Sequence, residues 1–457
     1  MQWKRYKAVF ARKALTTQGW QKDVLINIDE GGLISAVEDS ATSPPGAPSF
    51  DLVLPGMANV HSHAFQRAMT GLTEIASGEG RDNFWSWREV MYKFTFGLTP
   101  EAIEIIARAL YIELLKHGYT AVGEFHYLHH DAQGKPYANV TELSDRIVTA
   151  ARAAGIHLTH LPVMYETGNF GGKPTNDGQR RFLNTPDAYL KLLGELKKKY
   201  GDADDITLGV APHSLRAVKP ETLRAILEAL EHCPMHMHIA EQEKEVADCL
   251  QWSRKRPMEW LLDNFNVDAR WCLIHATHMT PEETATLAKT GATVGLCPTT
   301  EANLGDGIFQ AEHFLTADGS FGIGTDSNVC TSPWEELKMM EYAQRLATRR
   351  RNVLCTESTP SAGRTLFARA AAGGAKALGI NAGILAPETR ADLVALSMEH
   401  PLLHSRKNDT ILDTLIFGAT AVVTDVFVAG RRVVENGAHA QEEESAEKLR
   451  QIIGRFV

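Results

Sequence analysis

"LVLPGMANVHSHAFQRAMTG", residues 52–71, runs an apolar stretch straight into two histidines one residue apart. Side chains two apart on a strand share a face, so His61 and His63 project together from the end of that run. Two neutral imidazoles so placed suit a divalent metal if other segments deliver further donors to the same spot.

The rest of the chain supplies such segments. After the first run come "YTAVGEF", "HLTHLPVMY", "ITLGVAPH", "MHMHIAE", "CLIHATH", "ATVGLCP" and "FGIGTDS", each followed by an amphipathic helical pattern. Eight strand-like runs alternating with helices predict a (β/α)8, TIM-like barrel of the α/β class. Helix entries repeat one grammar, with Thr-Pro or Lys-Pro at the start of "LTPEAIEIIARALYIELLKHG", "NTPDAYLKLLGELKKKYG", "KPETLRAILEALEH" and "MTPEETATLAKTG", and Gly closing three of the four.

Outside the barrel the pattern changes to short alternating strands. "VLINIDEGGLISAVED" near the start and "RADLVALSM", "AVVTDVFVAG" and "RRVVENG" near the end read as parts of one small β-sandwich. The predicted division is residues 1–54 and 378–457 for the sandwich and 55–377 for the barrel.

Composition narrows the function. The 457 residues are 44% hydrophobic and 23% charged, with a net charge of -9. The only basic runs, "KLLGELKKKY" and "RLATRRR", read as solvated helix faces, so neither nucleic acid nor an anionic membrane is expected as a partner. No long uninterrupted apolar stretch occurs, and "MQWKRYKAVFARKAL" lacks a signal-peptide core, which predicts a cytoplasmic protein. Six scattered cysteines without a C-x-x-C pair predict reduced, mostly buried thiols.

In a barrel of this kind the C-terminal strand ends converge on one mouth. Strand five offers His236 and His238 on one face, followed by Glu241; strand six offers His275 and strand eight Asp326. His238 is nearer the mouth, whereas His236 lies about 7 Å further down and is read as interior packing. His129, His130, His157, His160, His232 and His278 have no place in this pattern and are read as structural.

The set "HSH", "HIAE", "IH" and "GTDS" resembles the amidohydrolase superfamily, in particular its mononuclear-metal deaminases, and "AGILAPETRADLVAL" extends the likeness to the terminal sheet. "PGMANVHSHAFQRAMTGLTE", "FWSWREVMY", "EFHYLHH" and "APHSLRAV" are similar to the family of N-formimino-L-glutamate iminohydrolases. Binuclear relatives carry a bridging lysine at strand four; here "ITLGVAPHSLRAV" places His213 there, and Lys219 heads a helix as a solvated residue. One metal is therefore expected.

The resemblance implies hydrolytic deamination of N-formimino-L-glutamate in histidine degradation, by a homodimer acting on a small dianionic substrate. It implies one Zn²⁺ per chain, with Fe²⁺ as the alternative, held by His61, His63, His238 and Asp326. Glu241, His275 and Asp326 are the implied catalytic groups, and Gln66, Arg88, Tyr127, His213 and Arg216 the implied substrate contacts. The stretch 64–98 is too long for an ordinary connection and is expected to fold over the mouth, bringing Arg67, Arg81 and Arg88 with Phe84, while Trp85 and Trp87 are read as packing inside it. Two other readings compete. Deaminases of guanine, S-adenosylhomocysteine or s-triazines take planar aromatic substrates that call for stacking, against which Arg88 and Arg216 argue; a non-catalytic barrel would have lost metal ligands, and none is missing.

Overall fold

The computed structural model describes residues 3–76, 82–230, 232–418 and 420–456. Four strands come first: β1 (Ala8–Thr16), β2 (Gly19–Ile28), β3 (Ile34–Glu38) and β4 (Ser49–Pro55). The next nine are β5 (Met57–Ser62), β6 (Tyr119–His126), β7 (His157–Met164), β8 (Ile206–Leu208), β9 (Ala211–Pro212), β10 (Met235–Ile239), β11 (Trp271–His275), β12 (Thr293–Leu296) and β13 (Ser320–Ile323). The last three are β14 (Leu393–Leu396), β15 (Val423–Val428) and β16 (Arg431–Val434).

The middle strands form a parallel sheet in the order β10-β11-β12-β13-β5-β6-β7-β8, with β9 also pairing β7. Parallel bridges Val210–Met235 and Ser214–His238 join its two ends, so the sheet closes into the expected barrel. Strands β5, β6, β7, β10 and β11 are buried at every position, as parallel strands must be when side chains fill one face and helices cover the other. The helix starts follow their sequence signals. Thr99, Thr185 and Thr280 each accept a backbone N–H at the helix entry, with proline at the first helical position.

The two chain ends build one seven-stranded sheet, β16-β15-β14-β4-β1-β2-β3, which closes over a core of its own that includes Val9, Val24, Ile26, Val53, Leu393 and Phe427. Strand β4 is its hinge piece, parallel to β1 and antiparallel to β14. The C-terminal segment also reaches the barrel: helix Glu442–Ile453 packs on helix Pro100–His117, with Lys116 paired to Glu442.

Two details differ from the sequence reading. The apolar run "LVLPGMANV" is two strands, β4 in the terminal sheet and β5 in the barrel, joined through Gly56. A Cβ at Gly56 would sit 2.4 Å from the Thr120 side chain, so the crossing requires glycine. The stretch after His63 is not an open loop either. It contains the 3-10 turn Ala64–Met69 and the helix Phe84–Phe96, whose start is fixed by reciprocal Asn83 and Ser86 hydrogen bonds. Among the described residues no helix is long and apolar enough to cross a membrane.

Candidate metal centre and substrate pocket

His61 lies one residue before the end of β5 at Ser62, and His63 follows the strand, both held in place because the chain after β13 clasps the same segment. The N–H groups of Thr325 and Asp326 donate to the His61 carbonyl at 3.0 and 2.9 Å, and the His63 N–H donates to the Asp326 carbonyl at 2.9 Å. From across the barrel, β10 brings His238, whose ring centroid lies 4.8 Å from that of His61. The Asp326 carboxylate stands 3.3 Å from His63 Nε2 and 3.5 Å from His61 Nε2. One nitrogen from each of His61, His63 and His238 lies within 4.8 Å of the others, and the same holds for donors of His61, His275 and Asp326.

The hydrogen bonds of these rings test whether the group suits a cation. His63 Nδ1 gives its proton to the Phe125 carbonyl at 2.9 Å, and His238 Nδ1 gives its own to the His213 carbonyl at 3.1 Å. Both neutral rings therefore present an unprotonated Nε2 to the same point, as metal-binding imidazoles do. Burial holds His61 and His63 below the usual histidine pKa, His61 down to about 3, so these rings are neutral at neutral pH. Burial works against ionisation of Asp326, but the hydrogen bond with His61 leads the opposing effects, which together outweigh it and hold the carboxyl below its usual range. Three neutral nitrogens and one carboxylate fit a single divalent ion.

Beside this group lie Glu241 and His275. His275 Nε2 is 3.9 Å from Glu241 Oε1 and 3.8 Å from Asp326 Oδ2, and it has no hydrogen-bond partner among the described residues. Burial disfavours the charged ring, yet the carboxylates of Glu241, Glu301 and Asp326 reverse the effect and hold it up to about 10. A cation among His61, His63 and Asp326 would oppose that charge. Glu241 is pushed up to about 7 by burial, with His275 and Arg216 restraining the rise. Several strand ends here leave extended geometry: Ala240, His275, Ala276 and Asp326 have φ between 45° and 68°. Non-glycine residues in that region cost about 1 kcal/mol each and persist where packing over-determines them.

One cavity joins these groups to the expected substrate contacts. It is lined by His63, His238, Glu241, His275 and Asp326 at one end, and by Gln66, Arg88, Tyr127, His213 and Arg216 around them. Gln66 donates to the Tyr127 hydroxyl at 2.8 Å, leaving its own carbonyl oxygen buried without a donor among the described residues. Among the described residues, Arg88 Nε and Nη1 are likewise buried without an acceptor, while its guanidinium lies 4.4 Å from the Trp85 ring centroid. The Arg216 guanidinium lies 5.9 Å from that same ring.

The structure revises several expectations for the stretch 64–98. Arg67 points away from the cavity, paired with Glu113 at 2.9 Å and donating to the Asn328 carbonyl at 2.8 Å. Arg81 lies outside the described residues. Trp87 lines the cavity, as Phe84 does, because one face of their helix is turned into the mouth, and Trp85 stacks beneath two arginines. Sequence reasoning passed over Tyr92, Tyr165 and Phe182, which also line the cavity, and Glu301, whose Oε1 lies 3.2 Å from His275 Nδ1. Tyr165 directly follows β7 and Glu301 stands in "CPTTEANLGDG" just after β12, so strand-end position was the available signal for both.

The chain has clear relatives. The amidohydrolase family profile matches residues 52–433, and that of the N-terminal domain of formimidoylglutamate deiminase HutF matches residues 6–47. The formimidoylglutamate deiminase of Pseudomonas aeruginosa is 51% identical over 452 residues, covering 98% of this chain and 99% of its own length. The crystal structure of an amidohydrolase from Brucella melitensis superposes with a TM-score of 0.94 at 48% identity, covering 98% of this chain and 99% of the other. An adenosine deaminase from Xanthomonas campestris, solved with bound zinc, has the same fold, with a TM-score of 0.81 at 21% identity over 98% of each chain.

Proposed function

This chain belongs to the amidohydrolase family, and from that premise we propose that it hydrolyses N-formimino-L-glutamate to N-formyl-L-glutamate and ammonia. The observation that carries the reading is Arg88, whose Nε and Nη1 are buried without an acceptor among the described residues, in the cavity that also holds the converged histidines. Buried guanidinium donors call for anionic acceptors, and the glutamate half of the substrate brings two carboxylates. Planar purine or triazine substrates offer none.

His61, His63, His238 and Asp326 would hold one Zn²⁺, or Fe²⁺ in its place. When bound, such an ion is a Lewis acid that makes water a competent nucleophile near neutral pH. Everything else falls to the chain's own groups. Glu241, with a pKa near neutrality, pairs electrostatically with the cationic formimino group and carries a proton to the nitrogen that leaves as ammonia. His275, through the Nε2 atom it turns toward Glu241 and Asp326, exchanges a proton with the attacking water. Arg88 and Arg216 bind the carboxylates, Gln66, Tyr127 and His213 fix the chain between the two ends, and Phe84, Trp87 and Tyr92 keep bulk water out.

Ammonia release measured side by side on N-formimino-L-glutamate, guanine and adenosine analogues tests the assignment. Turnover confined to the first supports it. Preference for a purine would reject it.

A further inference from the structure

We propose that Glu301 is the positioning residue that sets the His275 ring, so that Nε2 is the atom facing the reacting end of the cavity. The proposal deepens the reading above, since it rests on a proton-handling role for His275.

The backbone alone does not aim this ring. His275 is the last residue of β11 and has φ 68°, followed by Ala276 at 50°, so the alternation of the strand is lost where the side chain must be directed. What remains is contact with the ring nitrogens. Nδ1 lies 3.2 Å from Glu301 Oε1, whereas Nε2 has no hydrogen-bond partner among the described residues. Whether the ring is neutral or charged, the Nδ1 proton goes to Glu301 and Nε2 is left for the cavity.

Glu301 is itself held firmly. It sits in the helix Pro298–Leu304, directly after β12, the strand that pairs with β11. The same Oε1 atom accepts the Cys297 N–H at 2.9 Å, so two donors fix one oxygen. On its other side Glu301 borders an apolar groove with Pro298, Ile308, Phe309, Met340 and Gln344, and among the described residues no lysine or arginine lines that groove to compete for the carboxylate. Asp326 and Glu241 approach the ring only from the Nε2 side.

The Cys297 N–H makes the conservative variant informative. In Glu301→Gln, that donor forces the amide to turn its oxygen, not its NH₂, toward Cys297 and therefore toward His275 Nδ1. Glu301→Gln should keep the ring in place, while Glu301→Met, similar in length but without an acceptor, should release it.

The experiment is a crystal structure and steady-state kinetics of the metal-loaded holoenzyme for both variants, with Glu301→Ala in reserve should methionine not be accommodated. Expected are a turned His275 ring in Glu301→Met, a kcat lower by roughly 100-fold with KM for N-formimino-L-glutamate within about threefold of the parent, and unchanged metal content. Glu301→Gln should retain the ring orientation and recover kcat to within roughly tenfold of the parent. An unmoved ring in Glu301→Met overturns the proposal, as does Glu301→Gln being as slow as Glu301→Met. Loss of metal from Glu301→Met, with kcat restored by added Zn²⁺, also overturns it. If the ring turns but kcat holds, the positioning stands and the role of His275 in the proposed reaction falls.

Discussion

The Nε2 atoms of His61 and His238 approach to 3.0 Å, although the Nδ1 proton of His238 is already given to the His213 carbonyl. At most one proton can lie between two such nitrogens. A divalent cation relieves the lone-pair contact for both rings at once and for His63 Nε2 beside them.

Metal content follows directly. Elemental analysis should find about one divalent ion per chain, with activity lost on chelation and regained with Zn²⁺ or Fe²⁺. His61→Ala and His238→Ala should both lose the ion. Two tightly bound catalytic ions per chain would contradict the assignment of a mononuclear site.

Glu241→Gln should keep its metal and bind substrate, yet lower kcat by about 10²- to 10⁴-fold, because the amide can neither carry the proton nor balance the formimino cation. Comparable turnover in the variant would take Glu241 out of the chemistry.

Arg88→Met removes the donors that lie buried without an acceptor. A charge-assisted contact of about 1.5 to 3 kcal/mol corresponds to roughly 10- to 150-fold in kcat/KM for formiminoglutamate. A small formamidine that lacks the carboxylates should react at the parent rate. Equal losses on both substrates would mean that Arg88 supports only the surrounding helix.

How far the sequence discloses this site depends on how each residue reaches it. His61, His63 and His238 sit at strand ends where period two places them, and a count of strands adds His275 and Asp326 although the backbone has left strand alternation there. Helical residues of the long insertion are harder. Arg67 and Arg88 are equally cationic in the sequence, but only the rotation of their separate helices shows that Arg67 meets Glu113 while Arg88 enters the cavity. The break at Gly56 was hidden because the apolar pattern continues across it, and only the side chain of Thr120, far along the chain, requires the glycine.

Gly324 lies where β13 meets β5, and a Cβ there would come within 2.9 Å of His61 atoms. Gly324→Ala should destabilise the fold by about 1–3 kcal/mol and weaken metal binding together, since the displaced backbone is that of the proposed ligand His61. Thermal denaturation with and without chelator checks this; a drop in Tm with unchanged metal affinity would separate the two.

Glu336 is buried, and burial pushes its pKa up to about 8 despite hydrogen bonds from Thr299. A folded-state pKa above the ordinary carboxyl value means that its contribution to stability is present in acid and fades as pH rises through about 8. Glu336→Gln cannot ionise, so its Tm should fall less than that of the parent between pH 6 and 8.5. Parallel Tm profiles would place the alkaline loss elsewhere.

The pairing of β4 with both β1 and β14 bears on how the protein is made. During synthesis, β4 emerges with one neighbour and waits for Leu393–Leu396 to leave the ribosome, roughly tens of seconds at ordinary elongation rates. Throughout that interval the strand leading into His61 is anchored to a half-built sheet with an open, aggregation-prone edge. A nonsense mutation that removes only the last strands would therefore leave every pocket residue encoded, and still deprive the strand that carries His61 of its footing.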